Sequence, residues 1–153
     1  MATASNDTKL KLWGFQTGST VKTFNKHNSW VMSVAVSSDK KTLATGSRDN
    51  TVRLWSLDNF ELIKTINKHS TMVRVVRFSP DGQMLVSGSR DGEVKVWNVK
   101  TFEEIRTIRG HEGAIYSATF DQTGKMLATS GQDKSIKLWS LKSFEMITSL
   151  NKH

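Results

Sequence analysis

The heptapeptide Asp49-Asn-Thr-Val-Arg-Leu-Trp55 recurs as Asp91-Gly-Glu-Val-Lys-Val-Trp97 and Asp133-Lys-Ser-Ile-Lys-Leu-Trp139, and a fourth copy is Asp7-Thr-Lys-Leu-Lys-Leu-Trp13. Successive copies lie 42 residues apart, and the histidines of the chain, His27, His69, His111 and His153, follow the same period. A constant period of about 20 to 50 residues is the signature of a repeat protein, in which each period is one structural unit. The chain is therefore predicted to consist of adjoining copies of one unit.

Each unit contains the pattern of four short strands. In the heptapeptide, apolar Val52 and Leu54 alternate with polar residues, the period of two that a half-buried strand requires. Earlier in the unit, the uneven spacing of Val31, Val34 and Val36 predicts a bulged first strand. The second strands are predicted at residues 42–47, 84–89 and 126–130, the third at 51–55, 93–97 and 135–139, and the fourth at 62–66, 105–108 and 147–150. The predicted fold class is all-β.

In spacing and residue type these units resemble the repeats of the WD-repeat family, in which each repeat forms a four-stranded antiparallel blade of a β-propeller. The resemblance covers the whole chain. In that family a His, a Ser or Thr of the second strand, an Asp and a Trp form a hydrogen-bonded tetrad, which satisfies polar groups that would each cost about 1–3 kcal/mol if buried without a partner. The matching sets are His27, Thr45, Asp49 and Trp55; His69, Ser87, Asp91 and Trp97; His111, Thr129, Asp133 and Trp139; and Thr3, Asp7 and Trp13 with His153.

The repeat boundaries predict a propeller segment of three complete blades and one blade without its first strand. Residues 1–26 form the incomplete blade, residues 27–68, 69–110 and 111–152 are full repeats, and His153 begins a further one. Stand-alone propellers close a ring of about four to eight blades. We therefore expect this chain to belong to a larger ring, as a fragment of a longer polypeptide or as half of a head-to-tail homodimer in which His153 completes the tetrad of Thr3, Asp7 and Trp13 in the other copy.

Several classes of function are disfavoured by the sequence. The tetrad residues recur in each repeat, whereas an active site occurs once, so we predict no enzymatic activity and no cofactor. His and Asp provide two strong metal ligands per repeat without a third, so no metal site is predicted. The chain has no cysteine, no secretory signal pattern and no apolar run near the roughly 18 residues of a membrane helix. We expect an intracellular protein, cytoplasmic or nuclear, without membrane contact.

The positions that break the repeat are the candidates for partner binding. Trp30 lies off the 42-residue period, and its equivalents are Met72 and Ala114. In the WD-repeat family this position, the position two residues later and the residue before the tetrad Asp lie on a narrow top face that meets other proteins. The resemblance therefore implies one top rim that binds proteins or peptides, with Trp30, Met32, Arg48, Met72, Arg74, Arg90, Tyr116 and Gln132 as its candidate residues.

Two alternatives accompany this interpretation. Trp30-Val31-Met32 is similar to the corresponding stretch of heterotrimeric G-protein β subunits. The first alternative is that Trp30 has a structural role and packs under a loop instead of binding a partner. The net charge of +8 raises nucleic-acid or ribonucleoprotein binding as a second function. Many of the basic residues recur with the repeat, however, among them Lys11, Arg53, Lys95 and Lys137 on the third strands and Lys26, Lys68 and Lys152 beside the histidines.

Overall fold

A computed structural model describes residues 1–14 and 16–151 of the chain. The strands in this range are β1 (Ala2–Ala4), β2 (Leu10–Trp13), β3 (Thr20–Phe24), β4 (Val31–Val36), β5 (Thr42–Ser47), β6 (Val52–Ser56), β7 (Leu62–Ile66), β8 (Val73–Phe78), β9 (Met84–Ser89), β10 (Glu93–Asn98), β11 (Glu104–Arg109), β12 (Ile115–Phe120), β13 (Met126–Gly131), β14 (Ile136–Ser140) and β15 (Met146–Leu150). The described part of the chain contains no helix that could cross a membrane.

The strands form four antiparallel sheets, each in sequential order, and we call them blades 1 to 4. Blade 1 consists of β1–β3, blade 2 of β4–β7, blade 3 of β8–β11 and blade 4 of β12–β15. The first strands adjoin one another, because β4 packs against β8 and β8 against β12, while β1 packs against β4. The predicted fold class is thereby confirmed: the chain is an all-β propeller segment of three four-stranded blades and one three-stranded blade.

Blades 2 and 3 each bury one apolar face against the blade that follows. Val52, Leu54 and Ile66 of blade 2 lie in one cluster with Leu85 and Trp97 of blade 3. The equivalent face of blade 3, with Val94, Val96 and Ile108, packs against Leu127 and Trp139 of blade 4. Burying one such side chain contributes about 1.5–3 kcal/mol, so these contacts are the main source of stability. Alternation along the third strand, read from the heptapeptide, therefore selects the residues that join one blade to the next.

Blade 4 leaves the corresponding face open in the described structure. Leu150 is 53% exposed, whereas its equivalents Ile66 and Ile108 are only 5% and 4% exposed. Ile136 and Leu138, on the same face, are also only partly buried. The total accessible surface is 8525 Å², against about 7,800 Å² for a compact monomer of this mass. The repeat pattern has thus produced an apolar face that is suited to contact another blade.

A glycine near the end of the second strand allows blades 2 and 3 to pack closely against the blades that follow them. A Cβ atom at Gly88 would lie 2.6 Å from Cγ2 of Ile115 in blade 4 and 2.8 Å from Cγ1 of Val75. Gly46 has the same relation to blade 3, because its Cβ would lie 2.7 Å from Cγ1 of Val73. The equivalent residue of blade 4 is Ser130, which lies on the open side of that blade.

We predict that Gly88→Val lowers the free energy of unfolding by about 1–3 kcal/mol, because β12 must move away from β9 to admit the side chain. Ser130→Val is the matched control, since it places the same side chain at the same position of the open blade, and in the monomer, where no other blade covers that face, we expect it to change stability by less than about 0.5 kcal/mol. Urea unfolding measures both values. Equal destabilisation by the two substitutions would contradict this account of the glycine.

Candidate protein-binding surface

The tetrads connect the second and third strands of a blade with the segment that precedes its first strand. In blade 2 the Trp55 indole N–H donates to Oγ1 of Thr45 at 3.0 Å, and the Thr45 hydroxyl lies 2.7 Å from Nε2 of His27. His27 Nδ1 lies 2.9 Å from Oδ2 of Asp49. Because Nδ1 faces a carboxylate, it carries the ring proton and Nε2 accepts from the hydroxyl. Blade 4 repeats this arrangement at 2.8 to 3.0 Å with His111, Thr129, Asp133 and Trp139.

The tetrad aspartates also close the turn that follows the second strand. Oδ1 of Asp49 accepts from the Thr51 N–H at 3.0 Å, and Oδ2 accepts from the Asn28 N–H at 3.0 Å. Burial by itself would raise the pKa of Asp49, but the hydrogen bonds from His27, Thr51 and Asn28 outweigh it and hold that pKa well below its usual range. The carboxylate therefore stays charged and keeps the turn in place.

Blade 3 departs from the predicted tetrad. Ser87 contacts His69 and Trp97 at 2.6 and 2.8 Å, but Asp91 accepts from the hydroxyls of Ser70 and Ser89 at 2.5 and 2.6 Å instead of from His69. Nδ1 of His69 is left buried without a hydrogen-bond partner among the described residues. Ser70 stands where blades 2 and 4 have Asn28 and Glu112, whose backbone N–H groups contact the tetrad Asp.

Burial and the nearby Lys95 charge lower the pKa of His69 to about 4. The ammonium of Lys95 lies 3.5 Å from Glu93 and 3.4 Å from Glu104. In blades 2 and 4 the equivalent cations, Arg53 and Lys137, lie near the tetrad Asp instead. The His69 imidazole is therefore neutral near pH 7.

Blade 1 retains part of the arrangement, since the Trp13 indole N–H donates to Oγ1 of Thr3 at 2.8 Å. Asp7 is exposed, and its carboxylate accepts from the Lys9 N–H. His153, predicted to serve such a tetrad in another copy, lies outside the described residues, as does Lys152. In the three complete blades the tetrad hydroxyls are at most 2% exposed, so a substrate has no access to them. No cluster of three metal-ligating side chains occurs in the described ranges.

The rim residues Met32, Arg74 and Tyr116 are the bulged residues of the first strands. In β4, Val31 pairs with Ser47 and Ser33 with Gly46, so Met32 has no partner in the ladder. Arg74 in β8 and Tyr116 in β12 occupy the same bulge. A bulge re-aims the side chain of its extra residue. The Arg74 guanidinium lies over the Tyr116 ring, 5.1 Å from its centroid, so this contact crosses from blade 3 to blade 4.

The second part of the rim is fixed by a repeated backbone hydrogen bond. The N–H of Arg48 donates to the Trp30 carbonyl at 2.9 Å, and Arg90 donates to Met72 at 3.0 Å. The bond brings the residue before the tetrad Asp next to the residue before the first strand. In blade 2 the Arg48 guanidinium lies 4.8 Å from the centroid of the Trp30 ring. Trp30 is 42% exposed and Tyr116 is 53% exposed.

Gln132 differs from the arginines at its position in the repeat. Its backbone N–H donates to the Ala114 carbonyl at 2.8 Å, and its side-chain Oε1 accepts from the Ala114 N–H at 3.3 Å. Gly113 has φ 94° and lies so close that a Cβ atom there would be 2.9 Å from this oxygen. The Gln132 side chain is therefore turned toward its own blade, and the arginines of the rim belong to blades 2 and 3.

Most of the recurring third-strand cations are engaged within their blades. Arg53 and Lys95 are 9% and 7% exposed. Arg53 donates to the Lys26 carbonyl and lies near Asp49, while Lys95 contacts Glu93, Glu104 and Thr107. Lys137 contacts Asp133 and the Gly110 carbonyl. These cations offer little charge to an external phosphate chain.

The comparison with protein families agrees with this geometry. The family model for the WD domain, G-beta repeat, matches residues 18–56, 60–98 and 102–140, about three quarters of the chain. This chain belongs to the WD40 family. Each match runs from the fourth strand of one blade through the third strand of the next. The comparison with curated proteins gives no match.

WD40 repeats generally mediate protein–protein interactions, and WD40 proteins are typically scaffolds without enzymatic activity. The sequence pattern of this WD40 chain did not indicate the contact between Ser70 and Asp91. The one signal that could have revealed it is that Ser70 carries a hydroxyl group, whereas its equivalents in the other repeats, Asn28 and Glu112, do not.

We predict that Ser70→Ala raises the pKa of His69, because it frees Oδ2 of Asp91 to accept from the His69 ring. An adjacent carboxylate favours the protonated imidazole. A titration of the histidine ring resonances by NMR measures the change, and His27 and His111 serve as internal controls. A pKa of His69 that stays near 4 in the variant would contradict the competition between Ser70 and His69.

The lowered pKa of His69 makes the free energy of unfolding depend on pH. Because the pKa of His69 falls from 6.5 to about 4 on folding, the unfolded chain binds more protons between these values, so stability falls as the pH drops through this window. In Ser70→Ala the fall should be smaller. Urea unfolding at pH 7 and pH 4.5 measures the difference.

Proposed function

We propose that this WD40 chain is a protein-binding platform whose contact surface is the rim of blades 2 to 4. One observation carries the proposal: two half-exposed aromatic rings, Trp30 and Tyr116, each have an arginine guanidinium positioned over the ring. Trp, Tyr and Arg are the residue types most enriched among interface residues that dominate binding energy. They stand at positions where the repeat does not require them, since the equivalents of Trp30 are Met72 and Ala114.

The rim is also held in place before binding. The Trp30 carbonyl accepts from the Arg48 N–H and from the Ser47 hydroxyl, both at 2.9 Å. Arg74 lies on β8 and Tyr116 on β12, and these two strands pack together. A surface fixed by its own backbone loses little conformational entropy when a partner binds.

Affinity purification with the Trp30→Ala and Arg74→Glu variants tests the rim. We expect each substitution to reduce partner recovery by about tenfold or more, because truncating a central interface residue costs on the order of 2 kcal/mol. Ile105→Ala and Arg106→Glu are the controls; they lie on β11, and Ile105 has the same 42% exposure as Trp30. Unchanged recovery with both rim variants would remove the site assignment.

We further propose that another blade covers the open face of blade 4. The support is that Ile136, Leu138 and Leu150 match residues that are buried between blades 2 and 3 and between blades 3 and 4. The covering blade belongs either to the same polypeptide or to a second copy packed head to tail. In both cases the apolar face is removed from water, as it is inside the segment.

Sedimentation of the 153-residue chain tests this second proposal. We expect self-association above the monomer mass of 17.2 kDa, and dissociation when Leu138→Glu places a charge on the open face. Ile105→Glu adds the same charge on the outer strand and should leave association unchanged. A wild-type monomer that melts in one cooperative transition would refute the proposal.

A further inference from the structure

The arginines of the rim have no carboxylate neighbour among the described residues, in contrast to the cations that form salt bridges. Arg53, Lys95, Arg109 and Lys137 each lie within 4.0 Å of an Asp or Glu oxygen. Within residues 1–14 and 16–151, no carboxylate lies at that distance from Arg48, Arg74 or Arg90. The rim therefore holds three positive charges that the described structure does not neutralise.

Two of these arginines lie over aromatic rings. The guanidinium carbon of Arg48 is 4.8 Å from the centroid of the Trp30 ring, and that of Arg74 is 5.1 Å from the centroid of the Tyr116 ring. A guanidinium carries its N–H donors in a rigid fork that matches a carboxylate bidentately. A ring contact that restrains the arginine before binding reduces the side-chain entropy lost on binding.

We propose that the partner of the rim is an acidic protein segment whose carboxylates pair with Arg48 and Arg74 while its apolar side chains contact Met32 and Met72. This inference rests on the proposed function of the rim and specifies its partner. Arg48 and Arg74 lie on adjacent blades, and the two methionines are partly buried members of the same rim. Methionine is a flexible, polarisable side chain that adapts to varied apolar contacts.

The same residues favour an acidic protein segment over a nucleic acid. Single-stranded nucleic acids bind by stacking bases on aromatic faces along a positively charged groove. Here each of the two rings already has an arginine over it, which leaves less of the ring for a base. The three arginines of the rim could also contact only a few phosphates of a nucleic-acid strand. The recurring cations Arg53 and Lys95 are buried with their own partners and extend no such groove.

Fluorescence anisotropy with labelled peptides tests the inference directly. The probes are a peptide of alternating Glu and Leu, the same peptide with Gln for Glu, and a single-stranded oligothymidylate of equal charge. We expect the Glu peptide to bind at least about tenfold more tightly than the Gln peptide, because a hydrogen bond to a charged group stabilises a complex more than a neutral hydrogen bond does. We also expect it to bind more tightly than the oligonucleotide.

A matched pair of charge reversals locates the binding. Arg48→Glu combined with Arg74→Glu should weaken the Glu peptide by at least about tenfold, whereas Lys64→Glu combined with Arg106→Glu, on the outer strands β7 and β11, makes the same change in net charge and should alter affinity less than about twofold. Thermal melting verifies that both variants are folded. The comparison of the Glu and Gln peptides on the wild-type chain tests the inference even if a variant does not fold.

The possible results separate this inference from the function it rests on. Equal binding of Glu and Gln peptides, equal loss in the two double variants, or tighter binding of the oligonucleotide would overturn the acidic partner. If Trp30→Ala still abolishes partner recovery in that case, the rim remains the binding surface and only its chemistry is wrong. If neither rim variant affects recovery, the proposed function fails as well.

Discussion

The indole of the repeat tryptophan connects the strands within its own blade and also packs that blade against the preceding one. Its N–H donates to the second-strand hydroxyl of its own blade, as Trp55 does to Thr45 and Trp97 to Ser87. Its ring is buried against the preceding blade, where Trp55 meets Phe24 with ring centroids 4.8 Å apart. One side chain therefore fixes both the order inside a blade and the contact between blades. The hydrogen bond orients the ring, and the ring contributes the apolar area.

The sequence predicted the blades well because the period overdetermines them. Strand patterns, turn residues and the spacing of His, Asp and Trp all indicate the same 42-residue unit, and consistency among such signals is what specifies a fold. The predicted second strands of blades 2 and 3 coincide with β5 and β9. The bulge was also visible, since Val31 and Val34 share a face only if one extra residue lies between them.

The structure adds details that depend on single hydroxyl groups and on contacts between repeats. The choice of Asp91 between His69 and Ser70 is set by local hydrogen-bond competition, which a spacing pattern does not contain. The pairing of Arg74 with Tyr116 joins residues 42 positions apart, and it requires the packing of β8 on β12. The sequence identified both residues as departures from the repeat. Only the geometry shows that they contact each other, and the binding role of the rim remains a proposal.

The bulge in the first strand separates recognition from folding. Met32, Arg74 and Tyr116 differ greatly in size, charge and polarity, yet their blades have the same strand order and nearly the same register. A residue outside the hydrogen-bond ladder has no partner on the neighbouring strand, so a change of its side chain leaves the ladder intact. Each repeat can therefore exchange this one side chain while the strand pairing of its scaffold is kept. A new combination of such side chains around the array then changes the set of accessible partners while the architecture is inherited unchanged.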